Sequence, residues 1–155
     1  MMQDRPRVAI VGAGQCDAGL AAQARQLGRL LASQGCVIVC GGLGGVMQAV
    51  CQGAREQGGL TIGLLPGLER SAANPHVDIP VATGLGHMRN YLVVLNSDIV
   101  CALGGGHGTL SEIALARKIG REVVAVGGWE DIEGVQSVGD VDAAAACISA
   151  RFSRS

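Results

Sequence analysis

The chain has 155 residues, with 12 Lys and Arg against 13 Asp and Glu. Its formal net charge of −1 excludes the basic footprint that a nucleic acid or an anionic membrane would require. Hydrophobic residues make up 48% and aromatic residues 2%, so one core built from Ala, Val, Ile and Leu is expected, without disulfide or metal staples. Six cysteines include no C-x-x-C pair, and several lie in apolar runs, as buried thiols do in a reducing compartment. The opening MMQDRPR has no apolar leader core, and no apolar run approaches membrane-spanning length; a cytoplasmic location is expected.

In chain order, the first strand-like run is RVAIVG from Arg7; it ends in VGAGQCD and opens a helix over residues 19–34. CVIVCG from Cys36 follows, running into CGGLGGVMQ and a helix over 45–57, and then comes LTIGLL from Leu60. Residues 66–86 break the rhythm with three prolines and are expected to form the mobile loop of the chain. Within them VDIPVAT holds one short strand, kept near a sheet edge by Pro80. A helix over 87–96 leads to the strand DIVCAL from Asp98, the turn LGGGHGTLSE, a helix over 109–119 and the strand EVVAVG from Glu122. The last stretch ends in a helix from about Val141 with Asp140 as its cap. Continuous apolar strands alternate with helices closed by glycine, as in SQGC, EQGG and KIGR. That alternation predicts a single Rossmann-like α/β domain over 1–155, a doubly wound parallel sheet with helices on both faces.

In such a sheet ligands bind beyond the carboxyl ends of the strands, and three glycine clusters fall at such ends. Each opens a helix whose unpaired N–H groups favour an anion. GAGQCD lacks the third glycine of G-x-G-x-x-G and no G-x-x-x-x-G-K-[ST] occurs, so a dehydrogenase-type dinucleotide site is disfavoured. Three such turns on one edge of the sheet predict an enclosed, phosphate-bearing ligand.

Thr109 and Glu112 form the T-x-x-E of a capping box, which gives Glu112 a structural role at a helix start. A carboxylate beside an anion-binding helix start also calls for a nearby cation, and Arg89 is the candidate. An arginine at a helix start works against the helix dipole, which points to a phosphate or carboxylate partner. His76, His87 and His107 are too scattered to define a metal site, and no metal is assigned.

The segment GGGHGTLSE resembles the P-G-G-x-G-T-x-x-E signature of the proteins long mislabelled lysine decarboxylases, which include the Lonely Guy phosphoribohydrolases. MRNYLVVLNSDIVCALGGG is similar to the Arg-Lys helix that leads into that motif, and CGGLGGVMQAV to the family's second glycine turn. Gly104 stands in place of the motif proline and Asn90 in place of the lysine. The resemblance covers about Arg7 to Gly127 and is greatest to the short branch containing the molybdenum cofactor carrier proteins. It implies a binding or carrier protein for a phosphorylated, nucleotide-like small molecule, with a molybdopterin-type cofactor or a nucleotide as the candidate ligand. On that resemblance the N–H groups of Gly105, Gly106, Gly108 and Thr109 would hold the phosphate, with Arg89, Asn90 and His107 alongside, while Gly12, Gly42 and Gly45 leave room for the remainder. It also implies a homodimer or higher homo-oligomer paired through the helix YLVVLN. The alternative it implies is hydrolysis of nucleoside 5′-monophosphates, with Arg89 and Glu112 as the catalytic pair.

Overall fold

The computed structural model describes residues 4–154; Met1–Gln3, at the head of the N-terminal stretch considered above, and Ser155 lie outside the described residues. Seven strands form one sheet: β1 (Arg7–Gly12), β2 (Val37–Cys40), β3 (Thr61–Leu65), β4 (Ile79–Ala82), β5 (Ile99–Leu103), β6 (Glu122–Val126) and β7 (Val135–Val138). Every pairing is parallel, in the order β4-β3-β2-β1-β5-β6-β7. Five helices cover it: α1 (Ala18–Ser33), α2 (Val46–Glu56), α3 (Arg89–Leu95), α4 (His107–Lys118) and α5 (Val141–Ser153).

Continuous apolar runs are required here because the sheet is covered on both faces. In β1, Val8 and Ile10 pack beneath α1, α2 and α5, whereas Ala9 and Val11 pack beneath α3 and α4. The same two-residue alternation in β5 sends Ile99, Cys101 and Leu103 to the first layer and Val100 and Ala102 to the second. The expected three-layer sandwich is therefore the fold. Four of the six cysteines are buried and all are free thiols. No helix among the described residues is long and apolar enough to cross a membrane.

The two edges separate what pattern could and could not reveal. β4 is the edge strand expected from VDIPVAT, with Pro80 opposite Gly63, where a missing N–H leaves no gap in the ladder. At the other edge β7 was not expected. Its VQSV sequence is half-buried or exposed throughout, so no apolar run announces it; backbone pairing to β6, Val126 opposite Val138, makes it a strand.

Helix ends locate the site. Asp17 caps α1 by accepting from the Leu20 N–H at 2.8 Å, and Asp140 caps α5 by accepting from the Ala143 N–H at 2.8 Å, as expected. α4 starts at His107, two residues before the expected Thr109, and α3 is shorter than the expected 87–96, preceded by a 3₁₀ turn over Gly86–Met88.

Candidate functional site

The chain winds outward from β1 to β4 on one side, then crosses back to β5 on the other side of β1. Strand order reverses there, which is where an open parallel sheet leaves a crevice at its carboxyl edge. Gly12 lies opposite Leu103 in register, so the turns after β1 and β5 emerge side by side, and the turn after β2 emerges beside them. Between them is a cleft of about 230 Å³. Its walls are Gly12, Ala13 and Gly14 from the first turn, Gly41 and Met47 from the second, and Gly106, Gly108, Thr109 and Glu112 from the third. His87, Arg89 and Asn90 close the side formed by the start of α3.

The three helix starts are not equivalent. α1 has its aspartate cap, and the first N–H of α2, from Val46, donates to Ala13 O at 3.0 Å. At α4 the N-cap residue is Gly106, and no side chain caps the helix. α2 likewise has a glycine N-cap and no side-chain cap. The first turn of α4, however, contributes Gly108 and Thr109, with its N-cap Gly106, to the cleft wall, so its unpaired donors and the positive end of its dipole face the space where an anion would sit.

This geometry removes the capping box expected of Thr109 and Glu112. Because α4 begins two residues earlier, Thr109 lies inside the first turn, 3% exposed, and Glu112 one turn further on faces the cleft. Burial pushes the Glu112 carboxyl up to about 7, with Arg89 pulling in the opposite direction.

Arg89 is 9% exposed. Its Nε donates to Leu64 O at 2.9 Å and its Nη1 to Asn90 Oδ1. Asn90 Nδ2 in turn donates to Ser111 Oγ at 3.4 Å, and Ser111 Oγ donates to Gly108 O at 2.7 Å. The asparagine that stands where the resembled motif carries a lysine thus orients the arginine and ties it to α4. Burial lowers the Arg89 pKa, while Glu112 and Cys40 act to raise it; a guanidinium keeps its charge under such conditions. Among the described residues no ion pair joins Arg89 to Glu112 directly, so their coupling runs across the cleft.

Arg89 passes over Gly41, where an added Cβ would stand 2.7 Å from Nη2 and 2.8 Å from Met47 Sδ. Gly41→Ala is accordingly expected to displace the guanidinium and weaken ligand binding by about tenfold, the loss of one charge-assisted contact. Titration beside a melting curve checks this; unchanged affinity in a folded variant would refute it. Beneath this turn, Cys40 and Cys51 lie 3.6 Å apart at sulfur. The Cys51 thiol holds the Cys40 pKa down, against the effect of burial, and the Gly42 N–H and Arg89 help.

Of the residues expected at the site, Gly12, Arg89, Asn90, Gly106, Gly108, Thr109 and Glu112 meet at the cleft. Gly42, Gly45, Gly105 and His107 are not among its walls. Gly42 packs on β3, where an added Cβ would meet Leu65 Cδ2 at 2.9 Å. Gly45 lets α2 dock on the first turn, an added Cβ falling 2.3 Å from Ala13 O. Gly105 folds onto Thr109, and His107 is an exposed first residue of α4. Gly41, Met47 and His87 were not singled out as binding residues; the stretch HMRN carries the only signal for His87, two residues before the arginine.

An all-parallel, doubly wound α/β sheet with a cleft at its switch point is the class that fold and geometry define. Residues 5–150 match the SLOG cluster4 family, and the chain belongs to it. An uncharacterized protein of Archaeoglobus fulgidus is 42% identical over 130 residues, 84% of this chain and 85% of that one. The structure of the molybdenum cofactor binding protein of Rippkaea orientalis superposes with a TM-score of 0.92 at 34% identity, covering 97% of this chain and 99% of the other. The molybdenum cofactor carrier protein of Chlamydomonas reinhardtii does so at 0.89 and 33% identity, with 97% and 99% covered.

Proposed function

We propose that this protein is a carrier that binds a phosphorylated pterin of the molybdenum cofactor type, phosphate first, at the start of α4. The observation that carries the reading is the uncapped first turn of α4 facing a buried arginine across a narrow cleft. Gly106, Gly108, Thr109 and Arg89 supply phosphate donors. An extended ligand has somewhere to continue: a second hollow, formed by Gln15, Cys16, Gln48 and Gln52, adjoins the cleft at Gly14. Amide side chains match the donor and acceptor edges of a pterin. The likeness to cofactor-binding and carrier proteins over nearly the whole chain supports the same ligand class. Molybdenum would arrive as part of the cargo, and no group of three or more metal-ligating side chains occurs among the described residues. We place the protein in the cytoplasm as one domain spanning 1–155.

A ligand-dependent melting screen tests the reading, because a ligand present at a hundred times its dissociation constant adds about 2.7 kcal/mol. Pterin phosphates and the molybdenum cofactor are expected to raise Tm, and nucleoside monophosphates to do so less. A response to nucleoside monophosphates alone would favour the phosphoribohydrolase alternative.

We also infer a homodimer. Leu85, Met88, Tyr91, Leu92 and Leu115 line an apolar hollow on the outer face of α3 and α4, adjoining the cleft at His87, Asn90 and Gly108. Met88 is 73% exposed, a poor resting state for a large apolar side chain in an isolated chain. Sedimentation at micromolar concentration is expected to give twice the 15.7 kDa chain mass; a 15.7 kDa species alone would overturn the dimer.

A further inference from the structure

We propose that Trp129 is a positioning residue for the anion-binding turn, holding the peptide that follows β5 so that the start of α4 is preset for its ligand. Three consecutive residues after β6, Gly127, Gly128 and Trp129, have φ of +67°, +79° and +62°. Trp129 is the only non-glycine with positive φ among the described residues, a conformation a bulky residue holds only where its surroundings enforce it. The chain therefore doubles back at the carboxyl edge of the sheet, next to the exit of β5. The indole packs against the α3–α4 core layer, and its Nε1–H donates to Gly104 O at 3.1 Å.

That bond falls at the hinge of the turn. Gly104 has φ +63°, which proline cannot adopt, so the rigidity that a proline would bring to this position is absent. The indole supplies a constraint instead. Because a peptide is planar and trans, pinning the Gly104 carbonyl to Trp129 directs the Gly105 N–H to the opposite side. Gly105, at φ +103°, then folds directly onto Thr109 in the cleft wall. A single side-chain bond thus links the β6–β7 connection to the orientation of the donors at Gly106 and Gly108. Trp129 is not itself a wall of the cleft, and its action is through the turn.

This inference rests on the cleft being the ligand site, and the experiment separates the two. The full chain, wild type and Trp129→Phe, is titrated with inorganic phosphate and, separately, with the molybdenum cofactor. Phenylalanine keeps the aromatic packing and removes only the donor. The variant is expected to bind both probes about fivefold more weakly, as for loss of one hydrogen bond, with the ligand-free Tm within about 4 °C of wild type. The chain has one tryptophan, so in the wild type its indole N–H resonance reports the Gly104 contact without mutation. It is expected to shift during titration and saturate with the binding isotherm. Wild-type binding with an unmoved indole signal, or a variant affinity equal to wild type, overturns the positioning role and leaves the site intact. A wild type that binds neither probe overturns the site, and the role of Trp129 with it.

Discussion

Arg89→Ala is expected to weaken binding of a phosphorylated ligand by about ten- to a hundredfold, the range for losing one charge-assisted hydrogen bond. The substitution removes the buried cation of the cleft and the donor to Leu64 O at once. Asn90 Oδ1 loses its partner too, so the chain of bonds from Leu64 to Gly108 loses its first two links. Arg89→Lys restores charge but not the planar fork that serves Leu64 O and Asn90 together, so only part of the affinity is expected to return. Calorimetric titration of the three proteins with the molybdenum cofactor checks this. Equal affinity in wild type and Arg89→Ala would remove the arginine from the site. A ligand-free melting curve separates lost binding from lost folding.

Glu112→Gln is expected to change the pH dependence of the protein more than its affinity at low pH. Burial raises the Glu112 pKa from 4.5 to about 7 in the folded chain, so on raising the pH the unfolded chain gives up this proton first. The contribution of Glu112 to stability is accordingly greatest below pH 4.5 and falls as the pH climbs through 7, by about 3 kcal/mol in all. The glutamine variant lacks that loss. Its stability relative to wild type is expected to rise between pH 5 and pH 8, and a constant difference across that range would contradict the assignment. Ligand binding follows the same sign. A neutral Glu112 does not repel a phosphate at the start of α4, whereas the ionised form does, so wild-type affinity is expected to fall above pH 7 while that of Glu112→Gln stays level.

The same variant distinguishes carrier from hydrolase. In a phosphoribohydrolase, Glu112 would stabilise the developing positive charge at the sugar or activate water, and its amide would leave binding without release of free base. In a carrier there is no such release to lose. Wild-type protein that liberates base from a nucleoside monophosphate, with the activity gone in Glu112→Gln, would overturn the carrier reading.

From the sequence alone the layers of this protein follow. Unbroken apolar strands such as VAIV and IVCAL need cover on both faces, and that need, with the glycines closing the intervening helices, specifies a parallel sandwich. The position of the proposed site is legible there as well, since LGGGHGTLSE sits between a strand and a helix, carries donors and a carboxylate together, and borders the cleft. Local pattern did not contain β7, an edge strand stabilised through backbone bonds to β6 rather than by burial of its own side chains. Nor did it contain the division of labour among the glycines. Gly41, Gly42 and Gly45 are neighbours in the chain, yet only packing against Arg89, Leu65 and Ala13 makes one a wall of the cleft and the others supports of the turn. T-x-x-E shows the same limit: the capping box is a local pattern, but α4 starts two residues earlier and carries Glu112 into contact range of the cleft instead. The Asn90 bond to Arg89 joins sequence neighbours, but its purpose depends on Ser111, twenty-one residues away, and Trp129 reaches Gly104 across twenty-five. Composition and periodicity report what a segment buries; which donors remain unpaired is decided only when distant segments meet.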